Sequence, residues 1–128
     1  MSIQKQILEA VIAIIDALHL YATLDIGPLP AANGLSIATA SGGVEDSTLA
    51  HGGQYSLMVV VNGKHVNQAT VYDTLCLVHE HLEKLSEYPA GTDWAVTGIH
   101  SVGSPAYLGH ETDGWLYGSS IRIEYTID

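Results

Sequence analysis

The run SPAYLGHETDGWLYGSSIRIEY, from Ser104 to Tyr125, constrains the fold more than any other part of the chain. It ends in strict alternation: Ile121, Ile123, Tyr125 and Ile127 fall on one side, and Arg122, Glu124 and Thr126 on the other. A period of two with one apolar face is the pattern of a half-buried strand. Upstream of it, Pro105, Gly109 and the pair Asp113-Gly114 punctuate the chain. The segment Ser104–Leu116 therefore reads as a long decorated loop that turns at Asp113-Gly114 and feeds a strand over Leu116–Ile127. It offers no converging acid, base and nucleophile.

The remaining elements must supply what that strand packs against. Ile3, Ile7, Leu8, Val11, Ile14, Ile15 and Leu18 recur at three- and four-residue steps, which predicts a helix over 3–21 with Ser2 as its cap. This helix is apolar around much of its girth, so it has surface for a sheet on one side and for a neighbouring subunit on another. Gly27-Pro28-Leu29-Pro30 then stops the pattern. Leu35–Ala40 alternates as a strand, and Ser41–Gly53, with Gly42-Gly43 and Gly52-Gly53, reads as a flexible loop. Tyr55–Val61 is a nearly continuous valine-rich run, the signature of a central strand, with Asn62-Gly63 as its exit. A second helix is predicted over Asn67–Ser86 from the stripe Val71, Leu75, Val78, Leu82 and Leu85, ended by Pro89 and Gly91. Trp94–His100 is a further strand. The order α-β-β-α-β-β predicts one domain over 1–128, an α+β two-layer sandwich: a mostly antiparallel sheet with both helices on one face. There is no internal sequence repeat, although the two halves share the αββ plan.

Composition narrows the functional classes. With 128 residues, 47% of them hydrophobic, and a mean hydropathy of +0.20, the chain can bury a single core without staples. Fourteen acidic residues against four basic ones give a formal charge of −10, which argues against an extended nucleic-acid-binding surface, since phosphate is held by Lys and Arg. One cysteine excludes an intramolecular disulfide. The longest apolar stretch near the start, Ala10–Ile15, is far short of the roughly 20 residues that span a bilayer, and no leader pattern precedes it, so a soluble protein made in a cytoplasm is expected. Seven Tyr and two Trp with no Phe give every aromatic ring a polar handle, which suits half-buried surfaces and subunit interfaces.

The residues that could carry chemistry do not converge. His79 and His81 stand roughly 200° apart around a helix axis, and His79-Glu80-His81-Leu82-Glu83 puts a carboxylate where a zinc-protease motif needs its second histidine. His51, His65, His100 and His110 fall in separate segments, so no metal site is expected. Cys76 lies one turn from His79 but beside the apolar stripe, where a small buried hydrophobe is expected rather than a nucleophile. Glu45-Asp46 and Glu111 with Asp113 read as solvated turn carboxylates, and the glycine pairs match no phosphate-binding loop. No catalytic residue and no cofactor follow.

Three features together resemble a known family. An apolar N-terminal helix leads to a first strand, and Gly52-Gly53-Gln54-Tyr55 precedes a valine-rich strand and an amphipathic helix. Ser104-Pro105-Ala106-Tyr107-Leu108-Gly109-His110-Glu111-Thr112-Asp113-Gly114-Trp115-Leu116-Tyr117 then leads into Ile121–Tyr125. Over nearly its whole length the chain is similar to the minor capsid or tail terminator (tail completion) proteins of long-tailed bacteriophages. The resemblance implies a non-enzymatic virion protein, made in the host bacterial cytoplasm. It would form a ring, usually of six subunits, that caps the tail tube and joins it to the head-side connector, with no membrane involved.

The expected interface residues are Gly42, Gly43, Gly52, Gly53, Tyr107, Asp113, Trp115 and Tyr117. Self-association is expected through the apolar first helix and the sheet edges. DNA passing through such a ring without specific binding requires an acidic or neutral wall; Glu80, Glu83 and Glu87, spaced to share one helix face, are the candidates, or else an ordinary solvated surface. The alternative class is a small α+β ligand-binding or enzymatic domain with a pocket under the 104–116 segment.

Overall fold

The computed structural model describes residues 3–28, 33–46 and 54–127. Helix α1 (Ile3–Asp16) is followed by strands β1 (Leu24–Ile26), β2 (Leu35–Asp46) and β3 (Gln54–His65). Helix α2 (Gln68–Glu83) then leads to the long strands β4 (Trp94–Glu111) and β5 (Gly114–Ile127). The strands form one five-stranded sheet in the order β1-β2-β3-β5-β4. Only the β1–β2 pair is parallel; β2–β3, β3–β5 and β5–β4 are antiparallel. The α+β architecture expected from the sequence is therefore present, with one strand more than anticipated. β1, three residues long, carries too little pattern to be read.

One core joins the two layers. Ile7, Val11 and Ile15 of α1 and Val71, Leu75, Val78 and Leu82 of α2 meet Leu57, Val59 and Val61 of β3. The same cluster includes Ile121, Ile123 and Tyr125 of β5. The alternation read in the C-terminal strand is what places these side chains: Ile121, Ile123 and Tyr125 are buried, while Arg122 is exposed and Glu124 and Thr126 are half-buried. The central position of β3 follows from its continuous apolar run, since it pairs on both sides.

Element ends differ from expectation for local reasons. α1 stops at Asp16 rather than near Tyr21, because His19 takes a left-handed conformation (φ 55°) and the Asp16 carboxylate accepts a hydrogen bond from the Leu24 amide at 3.0 Å. α2 opens as expected at Asn67, whose side chain accepts from the Thr70 amide, but it closes at Glu83 with Lys84 as its cap. Asn62-Gly63 is not an exit; β3 continues to His65, held by pairing with β5.

The first part of the expected Ser41–Gly53 loop is strand. β2 runs on to Asp46, and a register irregularity between Thr39 and Val44 accommodates Gly42 and Gly43. Gly52 and Gly53 lie outside the described residues.

The largest correction concerns Ser104–Leu116. It is not a loop: β4 continues through it to Glu111, and Thr112-Asp113 form a two-residue turn closed by the Glu111–Gly114 pair. Irregularities at Val96/Gly98, Ser101/Gly103, Gly103/Ala106 and Tyr107/Gly109 interrupt the pairing and break the period of two that would have revealed a strand. At the turn, a Cβ added to Gly114 would lie 3.0 Å from the His65 carbonyl oxygen, so glycine lets the hairpin tip close against the end of β3.

Candidate assembly surface

The β4–β5 hairpin extends past the core, and on its helix-side face the aromatic residues converge. Tyr107 pairs across the ladder with Tyr117, and His110 with Trp115, which puts all four rings on one face. The Tyr107 ring lies 6.0 Å from Tyr117 and 6.1 Å from Trp115, and the His110 imidazole stacks on Trp115 at 3.9 Å with 13° between planes. The strip continues onto α2, where Tyr72 meets Tyr117 edge-on at 5.7 Å. Gln68, one turn earlier, donates to the Tyr117 hydroxyl at 2.7 Å. Tyr117 is buried, while Tyr107 is 54% and Tyr72 44% exposed, so the strip is anchored in the middle and open at its flanks. Large exposed rings rigidified by one another supply contact area at little entropic cost.

Tyr72 has polar company. The Cys76 side chain, one helical turn on, is the main cause holding the Tyr72 phenol above its usual range, with Asp73 adding a smaller push in the same direction. Cys76 is half-buried rather than the fully buried residue expected.

An ion cluster of one buried lysine and two exposed carboxylates fixes the hairpin tip. Lys64 of β3 is only 6% exposed, and its Nζ lies 2.7 Å from Glu111 Oε1 and 2.9 Å from Asp113 Oδ1. These two carboxylates are the expected turn pair; both are exposed, as a solvated pair should be, and they also clamp the turn to the neighbouring strand. Hydrogen bonding to Glu111 and then Asp113 raises the Lys64 pKa, and the bond from Lys64 holds the Asp113 carboxyl below its ordinary value.

The opposite sheet face carries a shallow groove of about 390 Å³, lined by Val60, Asn62, Ala106, Leu108, Gly118 and Ser120 among others. From the 104–116 segment, where the alternative reading looked for a pocket, Ser104, Ala106 and Leu108 line it. Its lining among the described residues carries amides and hydroxyls but no titratable side chain, so it supplies no general acid or base.

His79 is the one strongly buried histidine among the described residues. It is 5% exposed, its Nδ1 lies 2.7 Å from Ser101 Oγ, and its Nε2 is buried without a hydrogen-bond partner. Burial pushes its pKa below 6.5, against a smaller opposing effect of Glu83, so the ring is neutral at pH 7. The pair ties α2 to β4. Among the described residues no group of three or more His, Cys, Asp or Glu side chains could hold a metal ion, and no helix is long and apolar enough to cross a membrane.

No family model matches the chain, and no curated protein matches it either. Among solved structures, the chain is similar to one from the virion of a native gene transfer agent particle. The TM-score is 0.58 at 16% identity, covering 95% of this chain and 90% of that one. At that identity the likeness establishes a shared fold over almost the whole length of both chains.

Of the expected interface residues, the structure gathers Tyr107, Trp115 and Tyr117 into one strip. Asp113 sits at the hairpin tip in the Lys64 clamp, whereas Gly42 and Gly43 lie on β2, across the sheet from β4. Glu80 and Glu83 are exposed on α2, Glu80 paired with Lys84 at 2.9 Å. Glu87 is exposed but lies beyond the end of the helix, so the three acids do not share a helical face. Sequence reasoning missed Tyr72, His110 and Lys64. Tyr72 had a signal, an aromatic ring off the apolar stripe of an amphipathic helix; Lys64 had none.

Proposed function

We propose that this protein is a structural subunit of a phage-like virion, a tail terminator or minor capsid subunit. In this reading copies associate into a ring, six being the expected number, which caps the tail tube and joins it to the head-side connector. DNA passes through the ring without specific binding. The observation that carries the proposal is the fold shared, over 95% of this chain and 90% of the other, with a chain of a virion particle. An exposed, pre-ordered aromatic strip on a clamped hairpin supports it, because such a surface suits assembly, and among the described residues the groove behind it is lined by no titratable side chain.

The test is genetic and structural. Particles made without this protein should accumulate as separate heads and tails, and mass spectrometry of intact particles should find it in a fixed, small copy number. Complete, infectious or transfer-competent particles formed in its absence would refute the role.

A further inference from the structure

The strip raises the question of what lies on it. Resting on the assembly role proposed above, we infer that the strip Tyr72–Tyr117–Tyr107–Trp115 receives a cationic segment of a different protein, with arginine side chains laid against its rings, rather than a second copy of this chain.

Charge decides between the two occupants. Each copy carries −10, with four basic residues in all. Lys64 is buried in its clamp with Glu111 and Asp113, and Lys84 is paired with Glu80. Arg122, exposed on the opposite sheet face, is the one arginine in the sequence, and Lys5 stands on α1, engaged within its own chain. A neighbouring copy in a ring could therefore offer the strip a single arginine, from a chain with fourteen acidic residues, whereas a cationic segment of another protein offers several. Asp73 stands beside Tyr72, and the tip cluster sets two carboxylates against one ammonium. Bringing like charges together at an interface opposes binding, and complementary charge favours it.

The rings supply the second half of the recognition. An aromatic face attracts a cation through its quadrupole, and a planar guanidinium can also stack on it. The strip already displays that geometry within the chain, since the planar His110 ring lies nearly parallel to Trp115 at 3.9 Å. Tyr107 and Tyr72 are the rings with open surface. Aromatic faces beside net negative charge form a surface for arginine, and for lysine less well.

The experiment uses the full chain, isotope-labelled, titrated with short capped Ser-Arg, Ser-Lys and Ser-Glu repeat peptides and followed by NMR. The Ser-Arg peptide should shift the ring signals of Tyr72, Tyr107 and Trp115 and bind more tightly than Ser-Lys. The Ser-Glu peptide should leave the spectrum unchanged. Tyr107→Leu, at an exposed site, should weaken Ser-Arg binding about threefold while leaving the melting temperature in place.

Equal affinity for the Arg and Lys peptides, unaltered by Tyr107→Leu, would reduce the attraction to bulk charge and overturn the inference. Shifts centred on Glu80 and Glu83 would overturn it as well. So would concentration-dependent self-association that broadens the same ring signals, because a second copy would then own the strip. That last result would leave the virion role standing. Conversely, particles that assemble fully without the protein would remove the role and leave the peptide result untouched.

Discussion

Replacing His79 by leucine should stabilise this protein, and more so in acid. The imidazole is 5% exposed and holds one hydrogen bond, Nδ1 to Ser101 Oγ at 2.7 Å, while Nε2 is buried with no partner. A buried orphan polar atom costs about 1–3 kcal/mol, and one hydrogen bond returns about 0.5–1.5 kcal/mol. Leucine is close in size, removes both, and leaves Ser101, half-buried on β4, to turn its hydroxyl to water. The difference is about 1 kcal/mol in favour of His79→Leu at neutral pH, or about 4 °C in melting temperature for a domain of this size.

The pH dependence sharpens the prediction. Burial depresses the folded pKa of His79 below 6.5, so the unfolded chain takes up a proton there before the folded one does. Stability from the neutral ring is complete above pH 6.5 and is lost as the pH falls toward the depressed value, at no more than about 1.4 kcal/mol per pH unit. The variant lacks this loss, so the gap between the two proteins should widen on acidification. Urea denaturation followed by circular dichroism near pH 7.5 and pH 5.5 measures both quantities. A variant less stable than the parent at the higher pH, or a gap that stays constant, would refute the reasoning.

Three other outcomes are expected. Lys64→Met should return the Asp113 carboxyl to its ordinary range, read by NMR titration, and speed amide exchange at Thr112–Gly114. In the parent, the same clamp is complete above the ordinary Asp value of 3.8 and should loosen as the pH falls through the depressed one. Ile123→Ala, at a fully buried position in the core cluster, should cost about 2–5 kcal/mol by chemical denaturation. Reversing the exposed Glu80 and Glu83 to lysine should leave the melting temperature unchanged; if this face lines a channel, DNA release from particles should slow at low salt, and normal release would place it elsewhere.

The parts of the fold legible in the sequence were those where one periodicity ran uninterrupted. Ile121, Ile123 and Tyr125 declared β5, and Val71, Leu75, Val78 and Leu82 declared α2, because each set faces one continuous apolar layer. β1 was invisible because three residues paired to β2 hold no pattern. The far half of β4 was misread for a different reason. Its irregular pairings shift which residue faces which side, and Pro105 and Gly109 then look like loop punctuation. That misreading hid the site as well. Tyr107, Trp115 and Tyr117 could be named as interface candidates from their chemistry, but their convergence depends on cross-strand pairs, and Tyr72 joins them only through the packing of α2.

The same irregularities bear on how a partner can approach. β4 is the outermost strand on its side of the sheet, the position from which strands add in open-ended association. A strand that adds there needs a straight run of free amides and carbonyls in register. Pro105 removes one donor, and four breaks in the pairing with β5 bend and twist the strand along its length. Bulges and proline on an edge are devices that resist strand addition, and here they occur on the strand that carries the aromatic strip. A partner at this hairpin, as proposed above, would therefore meet its face, where the open rings of Tyr107 and Tyr72 stand, rather than its edge. A face contact is specified by side chains rather than by backbone, and so it can select one partner where an open edge would accept any strand.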